Sequence, residues 1–360
     1  MDLAVEIVSK NYLNAREWNS FVSSSLGSTY FCTFDWWVAF DNSFFLIVRN
    51  RHQEIIAGIP FRIFSKLPFP SRLFQVCWSD TSVLVRNNFS ESVANDLKSG
   101  ALNALVRHVK GKVIALMLSS KVRLCDAELL RNAGFNLEKC ATLYLDLTKD
   151  LDEVFKSFSK GHRNAIRRGM KSEVQVKINE GESAFPYIQD YCNLQSRLFE
   201  NKKGSFSDIY YKDEPYLKTI LSAEYARVFL AIAYYNSSPA AGGVLVSSNN
   251  ELFYYLAASD AALTRICFAS HYLEYEIIRY AKINGFKKLD TGNIPFSPDI
   301  EHPDYGTYVF KKGFGGERHE FDHGNLVLNK PGYWLLWKIR KLENNKTLSS
   351  IYKWLRRLFM

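Results

Sequence analysis

The chain has 360 residues, of which 47% are hydrophobic and 23% charged, and its formal net charge is +9 at pH 7. This length fits one large domain or two of ordinary size, and the composition excludes an intrinsically disordered protein. The longest apolar runs, such as VIALML at 113–118, have the length of a strand, so no membrane-spanning helix is predicted. The start, MDLAVEIVSK, lacks the features of a secretory signal, which favours a cytoplasmic protein.

Cysteine and histidine are spread along the chain without the spacing of a metal site. None of the six cysteines forms a C-x-x-C pair, so reduced thiols are expected. His319 and His323 would share a face only in a helix, and the glycines before them favour a strand or turn. We therefore predict no metal site.

The first 147 residues alternate strand-like and helical segments. Apolar, β-branched runs such as SFFLIVRN, EIIAGIPFRIF and KVIALML predict strands, whereas 91–110 and 123–133 have helical character. Residues 1–147 are accordingly predicted to form an N-terminal α/β domain.

Residues 148–172 begin with acids and continue as a strongly basic stretch. We predict one connecting helix here, because negative charge favours a helix N-terminus. The basic side chains recur at helical spacing or lie beside that row: Lys156, Lys160, Arg163, Arg167, Arg168 and Lys171. Such a row attracts the phosphates of RNA, of a nucleotide or of a lipid pyrophosphate. The alternative is a solvated helix face.

The second half, 173–329, repeats the pattern of the first. RVFLAIAYY, AAGGVLVSS and ELFYYLAAS predict strands, 268–284 predicts a helix, and a further strand ends in Asp290-Thr291-Gly292-Asn293. FLIV at 45–48 precedes AGI at 57–59 with the spacing that separates FLAI at 229–232 from AGG at 241–243. This weak repeat favours two related α/β units.

The segment YVFKKGFGGE, residues 308–317, invites comparison with phosphate-binding loops. It lacks the glycine spacing and the Ser or Thr of a P-loop, and it does not open a helix as a dinucleotide fingerprint does. We predict a strand at 308–311 that directs Lys311 into a site and Lys312 away from it.

Seven of the nine net positive charges lie in residues 330–360. Within this stretch, 346–360 has the pattern of a basic amphipathic helix. Such a helix could contact the inner face of the cytoplasmic membrane or pack on its own domain.

Several of these motifs together resemble the Fem-type aminoacyl/peptidyl transferases and the wider FemAB-like and BioF2-like acyltransferases of the GNAT superfamily. The resemblance covers most of residues 20–325. It rests on FCTFDWW, AGIPF, FSKGHRNAIRRGMK, ELFYYLAASD, YLEYEIIRYAKINGF, LDTGN and YGTYVFKKGFGGE. It implies two tandem GNAT-like domains, each a mixed, mostly antiparallel sheet flanked by helices.

The resemblance also implies an activity, namely transfer of an acyl group, often from aminoacyl-tRNA, to an amine of a cell-envelope precursor. The family motif F-K-x-x-[FY] falls on Phe310, Lys311 and Phe314, which makes Lys311 the first catalytic candidate. The acceptor would be an amino sugar or peptide of a peptidoglycan, capsule or O-antigen precursor, possibly lipid-linked.

The chemistry of amide formation suggests further site residues. A cation can stabilise the negative charge that develops on the carbonyl oxygen, and a carboxylate or tyrosine can take the proton of the amine. Asp290 and either Tyr254 or Tyr255, of which Tyr255 is taken as the catalytic one, are the predicted proton acceptors. The alternatives are a helix or turn cap for Asp290 and core aromatics for the tyrosines. Arg197 contacts either the acceptor or a surface acid. The complete set of predicted substrate contacts is Phe310, Tyr254, Arg197, Asn293, Arg163 and Arg167.

The acyl donor is either aminoacyl-tRNA or acyl-CoA, and the sequence leaves this choice open. In both cases the donor is a co-substrate, and no tightly bound cofactor is predicted. SDAALTRICFASHYLEYE contains no glycine, although a CoA pyrophosphate site would need a glycine-rich turn there. The alternatives are a CoA-dependent N-acyltransferase acting on a nucleotide- or lipid-linked amino sugar, and an inactive GNAT-like binding module.

Overall fold

The computed structural model describes residues 3–66, 72–119, 126–201, 211–302 and 304–343. They form two compact units: the described residues of 1–139 and 321–360 make unit 1, and those of 140–320 make unit 2. The boundaries fall inside two strands, so the chain passes from one unit to the other within regular structure.

The elements follow in chain order. The strands are β1 (Ala4–Ser9), β2 (Ser43–Arg49), β3 (Ile55–Ser65), β4 (Gln75–Ser79), β5 (Leu84–Val85), β6 (Ala115–Ser119), β7 (Asn136–Asp146), β8 (Gln175–Glu180), β9 (Val228–Tyr235), β10 (Ser238–Ser248), β11 (Glu251–Ser259), β12 (Lys288–Ile294) and β13 (Glu317–Val327). The α-helices are α1 (Ala15–Ser23), α2 (Phe34–Val38), α3 (Glu91–Val109), α4 (Ala127–Asn132), α5 (Leu151–Ser157), α6 (Lys160–Lys171), α7 (Ile188–Asn201), α8 (Glu214–Leu221), α9 (Ala261–Cys267), α10 (Ala269–Ile283), α11 (Tyr305–Gly313) and α12 (Lys330–Glu343). Short 3-10 helices are Tyr30–Cys32, Arg72–Phe74 and Gly181–Tyr187.

Unit 1 has the strand order β1-β2-β3-β4-β6-β13, with β5 beside β3. Neighbours in this order run antiparallel except β4 and β6, which are parallel. Its last strand comes from the end of β13, where His323 pairs with Ser119 and Val327 with Ala115. The apolar face of α3 covers the sheet through Leu97 and Leu105.

Unit 2 has the order β8-β9-β10-β11-β12-β7, with one parallel pair, β11 and β12, among its described strands. Here the last strand is the end of β7. Helix α10 packs Leu273 and Ile277 against Phe229 on one face of the sheet. Helix α7 packs on the other face, where the Tyr191 ring lies against Gly242.

The two units repeat one plan, four antiparallel strands followed by a parallel strand and a final antiparallel strand. The repeated sequence motif corresponds to β2–β3 and β9–β10. A Cβ on Gly58 would lie 2.9 Å from the Trp18 ring of α1, and a Cβ on Gly242 would lie 2.9 Å from the Tyr191 ring of α7. In both units the glycine therefore lets an aromatic ring pack closely on the strand. The predicted α/β fold of mixed, mostly antiparallel sheets is confirmed.

Three predictions about local structure need correction. The predicted strand at 308–311 is wrong, since these residues lie in α11. The single connecting helix at 148–172 is two helices, because Phe158 and Ser159 both adopt extended ψ angles, 149° and 151°. Residues 321–329, placed by the sequence in the second domain, belong to unit 1.

The last described helix, α12, covers the first part of the basic C-terminal segment. The predicted amphipathic helix at 346–360 lies outside the described residues. Within the described ranges, no helix is both long and apolar enough to cross a bilayer.

Candidate active site

The central feature of unit 2 is a split between β11 and β12. These parallel strands pair at three positions, the last being Phe253 with Asp290. Beyond it β11 continues to Ser259, whereas β12 resumes its pairing on the side of β7, where Asn293 faces Thr142. Two parallel strands that separate in this way expose backbone and side-chain groups between them, as a binding site requires.

Asp290 shapes the β12 side of the split. Its side chain is buried, and Oδ1 accepts hydrogen bonds from Thr142 Oγ1 at 2.5 Å and from the Gly292 amide at 2.8 Å. An aspartate that bonds an amide two residues on forms a local turn, and Gly292 accordingly has φ +80°. Asp290 therefore caps a turn, which is the alternative that the sequence left open.

Lys311 reaches the split from α11. Its Nζ donates a hydrogen bond to the carbonyl oxygen of Asn293 at 2.9 Å. A Cβ on Gly292 would lie 3.3 Å from this Nζ and 3.0 Å from the Tyr254 carbonyl oxygen, so both groups border the same glycine. Lys312 takes another direction, with its Nζ 5.5 Å from the Tyr308 ring centre.

The glycines of YVFKKGFGGE allow close packing. A Cβ on Gly313 would overlap the His162 ring, and one on Gly316, at φ +94°, would lie 2.9 Å from the Tyr144 carbonyl oxygen. His162 Nε2 also donates to the Phe310 carbonyl oxygen at 2.8 Å. The segment thus ends α11 and fixes the helix that carries Lys311, while Phe310 packs among aromatic rings.

Glu274 is a site residue that the sequence analysis missed. It lies on the buried face of α10 and is 7% exposed. Burial raises the pKa of this carboxyl to about 7, and the charge of Lys311 acts in the opposite direction. Burial also raises the pKa of Tyr254, to which the charge of Glu274 contributes. An acid among the apolar positions Leu273 and Ile277 was the signal that could have revealed it.

The two adjacent tyrosines of β11 have different partners, at a point where the pairing with β10 shifts register between Tyr254 and Leu256. Tyr254 packs with the α10 core, where a Cβ on Gly243 would overlap its hydroxyl. The Tyr255 hydroxyl instead hydrogen-bonds the hydroxyl of Tyr216 at 2.8 Å. Tyr254 therefore lies with Glu274 and Lys311, and Tyr255 is bound to α8.

The predicted arginine contacts have local partners. Arg197 forms an ion pair with Asp260 at 2.9 Å. It therefore contacts a surface acid, which was one of its two predicted roles. Arg163 donates to the carbonyl oxygens of Lys156, at 2.9 Å, and Phe158. Arg163 therefore caps the end of α5. The guanidinium of Arg167 is exposed, 5.6 Å from the Phe155 ring centre.

The helix start after β11 carries negative charge. Asp260 accepts hydrogen bonds from the amides of Ala262 at 2.9 Å and Leu263 at 3.2 Å. A pyrophosphate at this helix start would have to compete with a carboxylate for the same amides. Across the described residues, no group of His, Cys, Asp and Glu side chains has the arrangement to hold a metal ion.

Comparison with known sequences gives partial matches to lipid II:glycine glycyltransferases. No protein-family profile matches the chain. A lipid II:glycine glycyltransferase of Staphylococcus haemolyticus is 33% identical over 75 residues, which is 20% of this chain and 17% of that protein. The match therefore leaves most of both proteins unaligned.

Comparison with solved structures extends over nearly the whole chain. FemX superposes with a TM-score of 0.64 at 15% identity, covering 93% of this chain and 99% of FemX. L-PGS from Bacillus licheniformis gives 0.56 at 12% identity, with 96% of each chain covered. A tandem GNAT protein from the clavulanic acid biosynthesis pathway gives 0.55 at 10% identity, covering 90% of this chain and 99% of that one. The chain therefore has the tandem-GNAT fold of FemX, which confirms the predicted resemblance to the FemAB-like group at the level of the fold.

Proposed function

We propose that this protein is an acyltransferase that forms an amide on an amino group of a cell-envelope precursor, with aminoacyl-tRNA as the acyl donor. The observation that carries the proposal is the position of the Lys311 ammonium at the split between β11 and β12. The FemX-like fold and the partial similarity to a lipid II:glycine glycyltransferase support it.

Lys311 supplies the positive charge that the reaction needs. When an amine attacks an ester carbonyl, the C–N bond forms and the carbonyl oxygen becomes negative. An ammonium held by the Asn293 carbonyl oxygen is oriented before substrate arrives, so it stabilises this oxygen without reorganising. Asp290 and Gly292 act as positioning residues, because their turn shapes the backbone beside the ammonium.

Glu274 is our candidate for the proton acceptor. Its carboxyl lies near enough to the Lys311 ammonium for that charge to lower its pKa, and the resulting pKa of about 7 lies near neutral pH. The carboxylate takes the proton that the attacking nitrogen loses, and then gives it to the ribose oxygen as the C–O ester bond breaks. We thus assign to Glu274 the role that the sequence suggested for Asp290 or Tyr255, and give Tyr255 a supporting role through Tyr216.

Aminoacyl-tRNA is the favoured donor because of the carboxylate at the start of α9. Asp260 occupies the amides that a CoA pyrophosphate would use. The exposed Arg167 and its basic neighbours on α6 offer contacts for tRNA phosphates. Phe310, Tyr254 and Asn293 would border the acceptor.

The test compares two adjacent lysines. Purified wild-type protein, Lys311→Met and Lys312→Met are incubated with radiolabelled aminoacyl-tRNAs and lipid-linked peptidoglycan precursor. We expect transfer to fall at least 100-fold in Lys311→Met and to change less than twofold in Lys312→Met, since loss of one oxyanion-stabilising group costs about 10²–10³ in rate. Equal activity of both variants would refute the catalytic role of Lys311.

Glu274→Gln tests the proton acceptor separately. The transfer rate of the wild type should rise between pH 6 and 8 as the carboxyl ionises. The variant should be slower than the wild type, and its rate should not rise over this pH range. If this variant keeps the wild-type profile, Glu274 is not the acceptor although Lys311 can still act. Consumption of acyl-CoA by the wild type without tRNA would favour the CoA-dependent alternative.

A further inference from the structure

Helix α12 of unit 1 exposes a cluster of large apolar side chains. Trp334, Leu335 and Trp337 are 59%, 45% and 53% exposed. Large apolar residues that cluster on a surface mark an interaction site, whereas single exposed ones need no explanation. The contacting 3-10 helix Arg72–Phe74 adds Leu73, which is 75% exposed.

The orientation of this helix is fixed by its inner face. Leu336 is 4% exposed, and a Cβ on Gly332 would lie 2.9 Å from the Ile114 side chain. The Tyr333 hydroxyl accepts a hydrogen bond from Asn325 Nδ2 at 2.9 Å. The two tryptophans, three residues apart, therefore share the outward side and cannot turn inward without breaking these contacts.

Lys330 and Lys338 lie on the helix that carries the apolar cluster. The Lys338 ammonium lies 5.2 Å from the Trp334 ring centre and 5.8 Å from that of Trp337. Lys330 is also exposed, and the segment 330–360 holds eight Lys or Arg against one acid. Indole rings edged by lysines match the boundary between acyl chains and anionic headgroups, whereas the core of a protein interface is depleted of lysine.

We propose that α12 binds an anionic lipid surface through Trp334, Leu335 and Trp337. The helix lies in the plane of the interface, with its indoles among the headgroups and its lysines near their phosphates. This inference is independent of the proposed catalysis, because it concerns unit 1 and its test measures binding alone.

The experiment is co-sedimentation of the full chain with vesicles. We compare vesicles of phosphatidylcholine alone with vesicles containing phosphatidylglycerol, at low and high salt. The variant is Trp334→Ser/Trp337→Ser, and the matched control is Ile283→Ser/Ile300→Ser, which removes two apolar side chains exposed by 69% and 81% in unit 2. Urea unfolding checks that both variants remain folded.

We expect the wild type and the control to bind the anionic vesicles, more weakly at high salt, and the tryptophan variant to bind at least tenfold more weakly. Equal binding of the tryptophan variant, or equal binding to neutral vesicles, would overturn the proposal. So would a wild type that binds no vesicles and forms a dimer that the tryptophan variant cannot form, because the face would then be a protein interface.

Discussion

Replacing Glu274 by glutamine should stabilise the protein, and more so at alkaline pH. The pKa of this buried carboxyl is about 7 in the folded protein against 4.5 for an ordinary glutamate. The folded state holds the proton more tightly than the unfolded chain. The loss of unfolding free energy caused by this carboxyl therefore grows as pH rises from about 4.5 to 7, and it is complete above 7. The difference corresponds to about 3 kcal/mol of unfolding free energy.

Urea unfolding of the wild type and Glu274→Gln at pH 5 and pH 8 measures this loss. The variant should gain about 2–3 kcal/mol relative to the wild type on going from pH 5 to pH 8. Glu224→Gln makes the same chemical change at an exposed position of unit 2 and should show no comparable gain. If the stability difference between Glu274→Gln and the wild type stays constant with pH, the pKa of the Glu274 carboxyl is not raised in the folded protein.

Three further changes test the geometry around the split. Gly292→Ala forces an alanine into φ +80° beside the lysine ammonium, so we expect a loss of about 1–2 kcal/mol in urea unfolding and at least tenfold slower transfer. Gly313→Ala would press on the His162 ring and should lower the melting temperature, whereas Gly306→Ala, with nothing within 4 Å on the same helix, should not. Thr142→Val removes a donor to a buried carboxylate and should cost about 1–3 kcal/mol by the same unfolding assay; a smaller effect would argue against that hydrogen bond.

Helix positions were predictable where periodicity was strong. The helix at 91–110 is confirmed as Glu91–Val109, and the one at 268–284 as Ala269–Ile283. The repeated Ala-Gly motif predicted related units, although the packing of an aromatic ring on each glycine could not be known from one sequence.

The segment around Lys311 shows why local pattern can mislead. Its aromatic and aliphatic residues favour a strand by propensity, yet they form a helix, one face of which packs on other parts of unit 2. Phe310 packs against His162 and His271, two residues distant in sequence. Lys311 was nevertheless found from its motif, while Glu274 was overlooked because its importance depends on which residues surround it.

The return of residues 323–327 to the sheet of unit 1 has a consequence for how the protein is made. Unit 1 needs residues 323–327 to cover the edge of β6, so it cannot be completed until residues 140–320 have left the ribosome. At ordinary translation speed this delay is roughly 10–35 seconds. Until then β6 presents an open edge that can recruit other strands. In a fragment ending near residue 147, the edge of β6 would stay uncovered. The sheet of unit 1 can therefore be completed only after the chain of unit 2 has been synthesised.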